Sequence, residues 1–197
     1  MKLITFEGIE GVGKSTQINL VLDWLKIKGF STTLLREPGS TNFGEEIRAL
    51  LLSKESNISA YTELLLMFAA RSEMIKEHLI DSKEDFILCD RYYHASIAYQ
   101  GHGRKLSLDL INLLINGINC PTPDLTIIYD LDVKTGFERK ANDVIDRIES
   151  SGINFFEDVR KGYQQLAKDM NEVEILDASK PIELITQQTK DLIERLF

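Results

Sequence analysis

Residues Gly8-Ile9-Glu10-Gly11-Val12-Gly13-Lys14-Ser15 have the spacing G-x-x-x-x-G-K-[ST], whose chemistry is the cradling of phosphate. Glycines let successive backbone N–H groups turn inward around phosphate oxygens, a curvature that side chains would obstruct. A helix starting at the end of the loop adds its partial positive charge. Lys14 then reaches the β- and γ-phosphates of a nucleoside triphosphate, and the Ser15 hydroxyl is placed to ligate Mg²⁺. The predicted ATP-binding stretch runs from Gly8 to Thr16. The motif carries this meaning only with a strand before it and a helix after it.

Both flanks are present. Lys2 to Glu7 (KLITFE) reads as a strand, and Lys14 to Lys28 as a helix with Ile18, Val21, Leu22 and Leu25 on one face and Gly29 ending it. Further strands are predicted at Ser31 to Arg36, Asp85 to Asp90, Leu125 to Leu131 and Val173 to Leu176. The apolar run inside DFILCD suits a strand buried on both faces. Helical segments are predicted at Phe43 to Leu52, Tyr61 to Ile80, His94 to Tyr99 and Ser107 to Ile118. Others start near Lys134, run from Asn154 to Met170, and begin at Pro181, a residue suited to a first helical turn. This alternation predicts an α/β fold, a three-layer α/β/α sandwich of the P-loop NTPase class on a five-stranded parallel sheet. No repeat, low-complexity tract or interdomain linker interrupts residues 1–197, so one domain is expected, with the charged segment of about 134–149 as a short lid.

Apolar residues make up 43% and charged residues 27%, the balance of a soluble globular chain. The net charge of −8 disfavours a broad nucleic-acid surface, which needs a basic field. An acidic chain that binds an anionic nucleotide must gather its basic residues locally, so the positions of the arginines matter. The longest apolar stretch, Leu64 to Ala70, falls far short of the roughly 20 residues of a membrane helix. The start, MKLITFEG, turns polar too early for a signal peptide. Cys89 and Cys120 lie far apart without a CxxC spacing, and Cys89 sits in an apolar run, so free thiols in a reducing, cytoplasmic setting are expected.

The phosphate loop leaves the acceptor open. The chain has no N-K-x-D guanine-reading motif, and the strand ending at Asp90 continues Asp90-Arg91-Tyr92, unlike a D-x-x-G switch. Arginines at several strand ends suit a nucleotide kinase, where they clamp a second phosphate. Six segments in order then carry a resemblance to the thymidylate kinase family over nearly the whole length. They are the phosphate loop, Arg36-Glu37-Pro38-Gly39, Leu65-Leu66-Met67-Phe68-Ala69-Ala70-Arg71, Asp90-Arg91-Tyr92, Ser96-Ile97-Ala98-Tyr99-Gln100-Gly101 and Asp146-Arg147-Ile148-Glu149.

The resemblance implies transfer of a phosphoryl group from ATP to dTMP, with Mg²⁺ as cofactor, in a chain that forms a homodimer. It implies that Arg36 and Arg91 grip the acceptor phosphate, although Arg36 could instead pair with Glu37 or Glu45. Asp90 would hold Mg²⁺ through water, orient Arg91, or cap the next helix. Phe68 and Arg71, three apart on one helix, would stack on thymine and donate to its exocyclic oxygen. Ser96 and Gln100 would line the base pocket, and Glu10 would lie near the sugar 3′ hydroxyl. Tyr99 would pack against the sugar 2′ carbon, where a ribose hydroxyl collides.

In one subtype of this family the phosphate loop carries an arginine, and in the other the lid does. Gly11 and Val12 leave this loop without one, so the lid is expected to supply the cation, from Arg139 or Lys140 within Glu138-Arg139-Lys140-Ala141-Asn142-Asp143. Arg147 is expected as a phosphate contact or lid hinge, and Asp177 to Pro181 resembles the adenine-side loop. A phosphate oxygen is already anionic and needs no general base, so His78, His94 and His102 read as structural or surface residues. Catalysis would rest on alignment and on the positive charge of Lys14, Mg²⁺ and the arginines. Two other readings stay open: a different nucleoside monophosphate or deoxynucleoside kinase, the latter with Glu37 as its base, and a nucleotide-binding regulatory protein without turnover.

Overall fold

The computed structural model describes residues 1–140 and 145–197; Ala141 to Val144, in the middle of the predicted lid, lie outside the described residues. β1 (Lys2–Glu7) runs into the glycine loop and α1 (Lys14–Ile27), followed by β2 (Thr32–Arg36), α2 (Asn42–Leu52) and α3 (Ala60–Met74). β3 (Phe86–Asp90) leads to the short α4 (Tyr93–Ser96) and then α5 (Leu108–Gly117). Next come β4 (Leu125–Asp130), α6 (Val133–Arg139), α7 (Ile153–Asp169), β5 (Val173–Asp177) and α8 (Ile182–Glu194), the last capped by Pro181.

The strands form one parallel sheet in the order β2-β3-β1-β4-β5, the architecture that the alternating pattern predicts. The three central strands bury both faces: Leu3, Ile4 and Phe6 from β1, Ile87 and Leu88 from β3, and Ile127 and Ile128 from β4. Each such side chain stabilises the fold by about 1.5–3 kcal/mol on full burial, which is why these strands read as apolar runs. The edge strands are half-wet, with Leu34 and Ile175 exposed. β1 connects towards one edge through α1, whereas β4 connects towards the other through α6 and α7. Carboxyl ends of the central strands therefore open into a crevice. Glu7, Arg36, Asp90 and Asp130 stand on its rim, and register sets Asp90 beside both Arg36 and Phe6.

Two helices differ from their expected form. The segment predicted as one helix to Ile80 is α3 to Met74 and then a π-helical turn, Ile75–Leu79. The stretch expected to end near Tyr99 is α4 followed by a π-helical segment, Ile97–Gly103. Widened turns of this kind cluster at functional sites. Here the widening carries Gly103 against Phe155, where a Cβ would sit 2.5 Å from the ring.

Candidate active site

The phosphate loop is shaped by glycines in the left-handed region, Gly11 at φ 73° and Gly13 at φ 87°. A Cβ on Gly11 would lie 2.0 Å from the Gly136 carbonyl oxygen, so α6 packs directly on the loop's backbone. Gly13 caps α1 without a side-chain bond, and the first turn of α1 holds no acidic residue. The Lys14 ammonium folds over the loop and donates to the carbonyls of Gly8 (3.4 Å) and Ile9 (3.3 Å). Burial, and next the nearby Arg91, lower its pKa from the usual lysine value. Ser15 and Thr16 are exposed at the start of α1, and Ser15 shares a depression with Asp90.

Arg91 follows β3 with a left-handed backbone (φ 70°) and its N–H donating to the Phe6 carbonyl (3.0 Å). Its guanidinium donates to the Gly8 carbonyl (2.8 Å), to Glu10 Oε1 (2.8 Å) and to the Tyr163 hydroxyl (3.2 Å). Tyr99 donates to Glu10 Oε2 (2.6 Å), and Arg91 lies over its ring at 4.9 Å. Burial alone would raise the Glu10 carboxyl, but Arg91 and Lys14 hold it below the usual carboxylate range. Asp90 Oδ1 is buried with no hydrogen-bond partner among the described residues. An orphaned carboxylate oxygen beside an exposed serine hydroxyl fits a hydrated Mg²⁺ whose remaining ligands come from a triphosphate.

Two depressions meet at Arg91. The first is lined by Glu10, Arg36, Met67, Arg71, Ser96, Tyr99 and Gln100, with Pro38, Arg48, Asp90 and Asp146 at its sides. The second runs over the phosphate loop between Arg48, Arg91, Arg139 and Lys140. Arg71 donates from Nε to both Glu37 oxygens (2.9 and 2.8 Å), from Nη2 to Glu37 Oε2 (2.6 Å) and from Nη1 to Ser96 (3.2 Å). Arg36 lies half-exposed and pairs with Glu45 at 2.9 Å, one of the two uses open to it from sequence. Gln100 donates to buried Glu63 (2.9 Å).

Three placements differ from the sequence reading. Phe68 does not line the first depression; it is built into the core beneath Arg71, whose guanidinium lies 4.6 Å from its ring. Met67, four residues before Arg71, faces the cleft instead. Spacings of three and four both share a helix face, so position alone could not separate the two. Arg147 lines neither depression and donates to the Leu51 carbonyl (2.8 Å) and to Glu63 (2.8 Å), because that buried carboxylate demands cations. Its neighbours Asp146 and Ile148 line the cleft. α6 is bound to the phosphate loop through Gly136, so the predicted lid start at residue 134 falls within the packed body of the molecule.

Arg139 donates to the carbonyls of Gly11 (3.5 Å) and Ala178 (3.2 Å), and Lys140 pairs with Glu149. His94 is buried, with its pKa pushed down to about 3, and His78 binds the Ser40 carbonyl (2.6 Å), so neither faces the cleft. Two side chains went unnoticed in the sequence. Arg48 donates to the Pro38 carbonyl (2.9 Å) between the two depressions. Glu7 lies fully buried at the end of β1, accepting from the Tyr92 N–H (2.7 Å) and the Tyr163 hydroxyl (2.7 Å), with burial lifting its carboxyl to about 7. Its signal was an acidic residue closing the buried strand KLITFE.

A family model described as thymidylate kinase matches residues 6–189. Thymidylate kinase of Ruthia magnifica subsp. Calyptogena magnifica is 43% identical over 99% of this chain and 98% of its own. That of Legionella pneumophila strain Corby is 37% identical over 100% of this chain and 95% of its own. The crystal structure of thymidylate kinase from Ehrlichia chaffeensis superposes with a TM-score of 0.81 at 29% identity, covering 98% of both chains. Matched by the family model over most of its length, and by these relatives over nearly all of it, the chain belongs to the thymidylate kinase family.

Proposed function

We propose that the chain transfers the γ-phosphoryl group of ATP to dTMP, giving dTDP, as one catalytic unit whose two substrates meet at Arg91. The observation that carries this reading is that Arg91, Glu10, Asp90, Arg48 and Asp146 line both depressions, so two phosphate ends would converge on shared cations. The nucleophile is a phosphate oxygen, and alignment and charge supply the catalysis. Lys14 and the loop amides hold the triphosphate, and Arg36 and Arg91 hold the acceptor phosphate. Arg71 and Ser96 address the base edge, with Met67 as its apolar wall. Tyr99 and Glu10 face the sugar. Arg139, between Gly11 and Ala178, closes the adenine side. Ser15 and Asp90 would hold Mg²⁺, which when bound spreads positive charge over the transferring phosphoryl oxygens.

The deoxynucleoside kinase alternative needs a free base at Glu37, but that carboxylate accepts three N–H bonds from Arg71. A coupled ADP-release assay over nucleoside monophosphates and thymidine decides the matter. We expect dTMP to be preferred and thymidine to be inert; turnover of thymidine alone would overturn the reading. The same reading carries a homodimer in the cytoplasm; light scattering on the eluted protein tests the dimer. No helix among the described residues is long and apolar enough to cross a membrane.

A further inference from the structure

We infer that Glu7 is a positioning residue for Arg91, fixing both its backbone and its guanidinium from beneath the phosphate loop. One carboxylate reaches Arg91 by two routes. Oε1 accepts from the N–H of Tyr92, the residue directly after the left-handed Arg91 (2.7 Å). Oε2 accepts from the Tyr163 hydroxyl (2.7 Å), which in turn accepts from Arg91 Nη1 (3.2 Å). The first route holds a backbone conformation that L residues rarely adopt. The second aims the guanidinium, because a tyrosine hydroxyl that donates to a carboxylate must present its lone pairs elsewhere. Glu7 and Tyr163 are each at most 1% exposed, so water cannot replace either bond.

The chain of contacts ties together three elements: the end of β1, the turn after β3, and α7. Arg91 also binds Gly8 and Glu10 directly, so losing Glu7 would misdirect the guanidinium while leaving it in the cleft. Outer contacts that orient metal ligands are worth about 10–100-fold, and a loss on that scale is expected for an oriented arginine; misplacement acts on the transition state more than on ground-state binding. Glu7 is fully buried and lines neither depression.

The inference rests on the reading of Arg91 given above, and steady-state kinetics separates the two. Tyr163→Phe removes one hydroxyl and keeps the ring in the core, and Glu7→Gln keeps the shape while removing the charge. We expect each to lower kcat about tenfold, with the KM of dTMP and ATP within about threefold. Their combination should cost no more than either alone, since they act as one unit. In an Arg91→Ala background neither should have further effect. An unchanged kcat in a Tyr163→Phe variant that melts normally would overturn the inference. Equal losses with and without Arg91 would also overturn it, by making Glu7 a structural residue only. Wild-type turnover in Arg91→Ala would remove the reading of Arg91, and this inference with it.

Discussion

Arg71 and Glu37 illustrate how a specificity residue is bound to the stability of the fold. Both side chains are buried, at 2% and 5% exposure, with a contact of 2.6 Å, so truncating one leaves the other charged in the interior. Breaking such a pair costs about 3–5 kcal/mol, whereas replacing both by apolar or neutral groups is often close to neutral. We therefore expect Arg71→Ala to raise the dTMP KM far more than the ATP KM and to lower the melting point. Arg71→Met combined with Glu37→Gln should recover most of the stability but none of the dTMP affinity. Equal effects on both KM values would remove Arg71 from the base pocket. Glu7 presents the opposite trade. Burial lifts its carboxyl from 4.5 to about 7, so between those values the folded chain keeps a proton that the unfolded chain has lost. That contribution is complete below about pH 4.5 and is lost as pH rises through 7, an effect of ~3 kcal/mol by linkage. Melting points of wild type and Glu7→Gln should therefore diverge between about pH 4.5 and 7, with the wild type falling more steeply. Parallel curves would contradict the assignment. At this scale the sequence was readable where chemistry forces residue type, as in the Gly-Lys-Ser of the loop. It was not readable where a role depends on burial that only the fold creates, as at Glu7.

At the scale of elements, the segment expected as a lid is anchored at Arg147. Arg147 bonds the Leu51 carbonyl at the end of α2 and Glu63 on α3, while Glu63 also takes Arg104 (3.1 Å) and Gln100. One buried carboxylate thereby links Arg147, α3 and the π-helical segment that lines the cleft. Hydrogen bonds between charged groups contribute about 1.5–3 kcal/mol each. Arg147→Ala should lower stability by about that amount and kcat by no more than about tenfold. A loss of a thousandfold without destabilisation would restore Arg147 as a phosphate contact. The sheet itself was legible because central strands must be apolar on both faces and edge strands need not be. The π-helical turns after Met74 and Ser96 were not, since a 3.6-residue period and a slightly wider one bury nearly the same side chains over so few residues. The boundary of the lid was hidden for a related reason: α6 carries charged residues, yet Val133 and Gly136 pack it onto the loop.

For the whole molecule the question is how a chain of net charge −8 holds a triphosphate and a monophosphate together. It does so by concentration: Lys14, Arg36, Arg48 and Arg91 converge on one rim, where only a few carboxylates, Glu10, Asp90 and Asp146 among them, stand between the cations. In the absence of phosphate these cations oppose one another. Burial and then Arg36 lower the Arg48 pKa, as burial and Arg91 lower that of Lys14. A bound phosphate relieves this opposition only in the folded state, so it must stabilise the fold by mass action. At a hundred times its dissociation constant dTMP should add about 2.7 kcal/mol, which for a chain of this size raises the melting point by roughly 5–10 °C. Thymidine at the same concentration lacks the group that meets the arginines and should raise it far less. Added salt should shrink the dTMP shift by screening the exposed Arg36 more than the buried Arg91. Thymidine and dTMP shifting the transition equally, in low and high salt alike, would mean that the base alone drives binding and that the arginine rim plays no part in it.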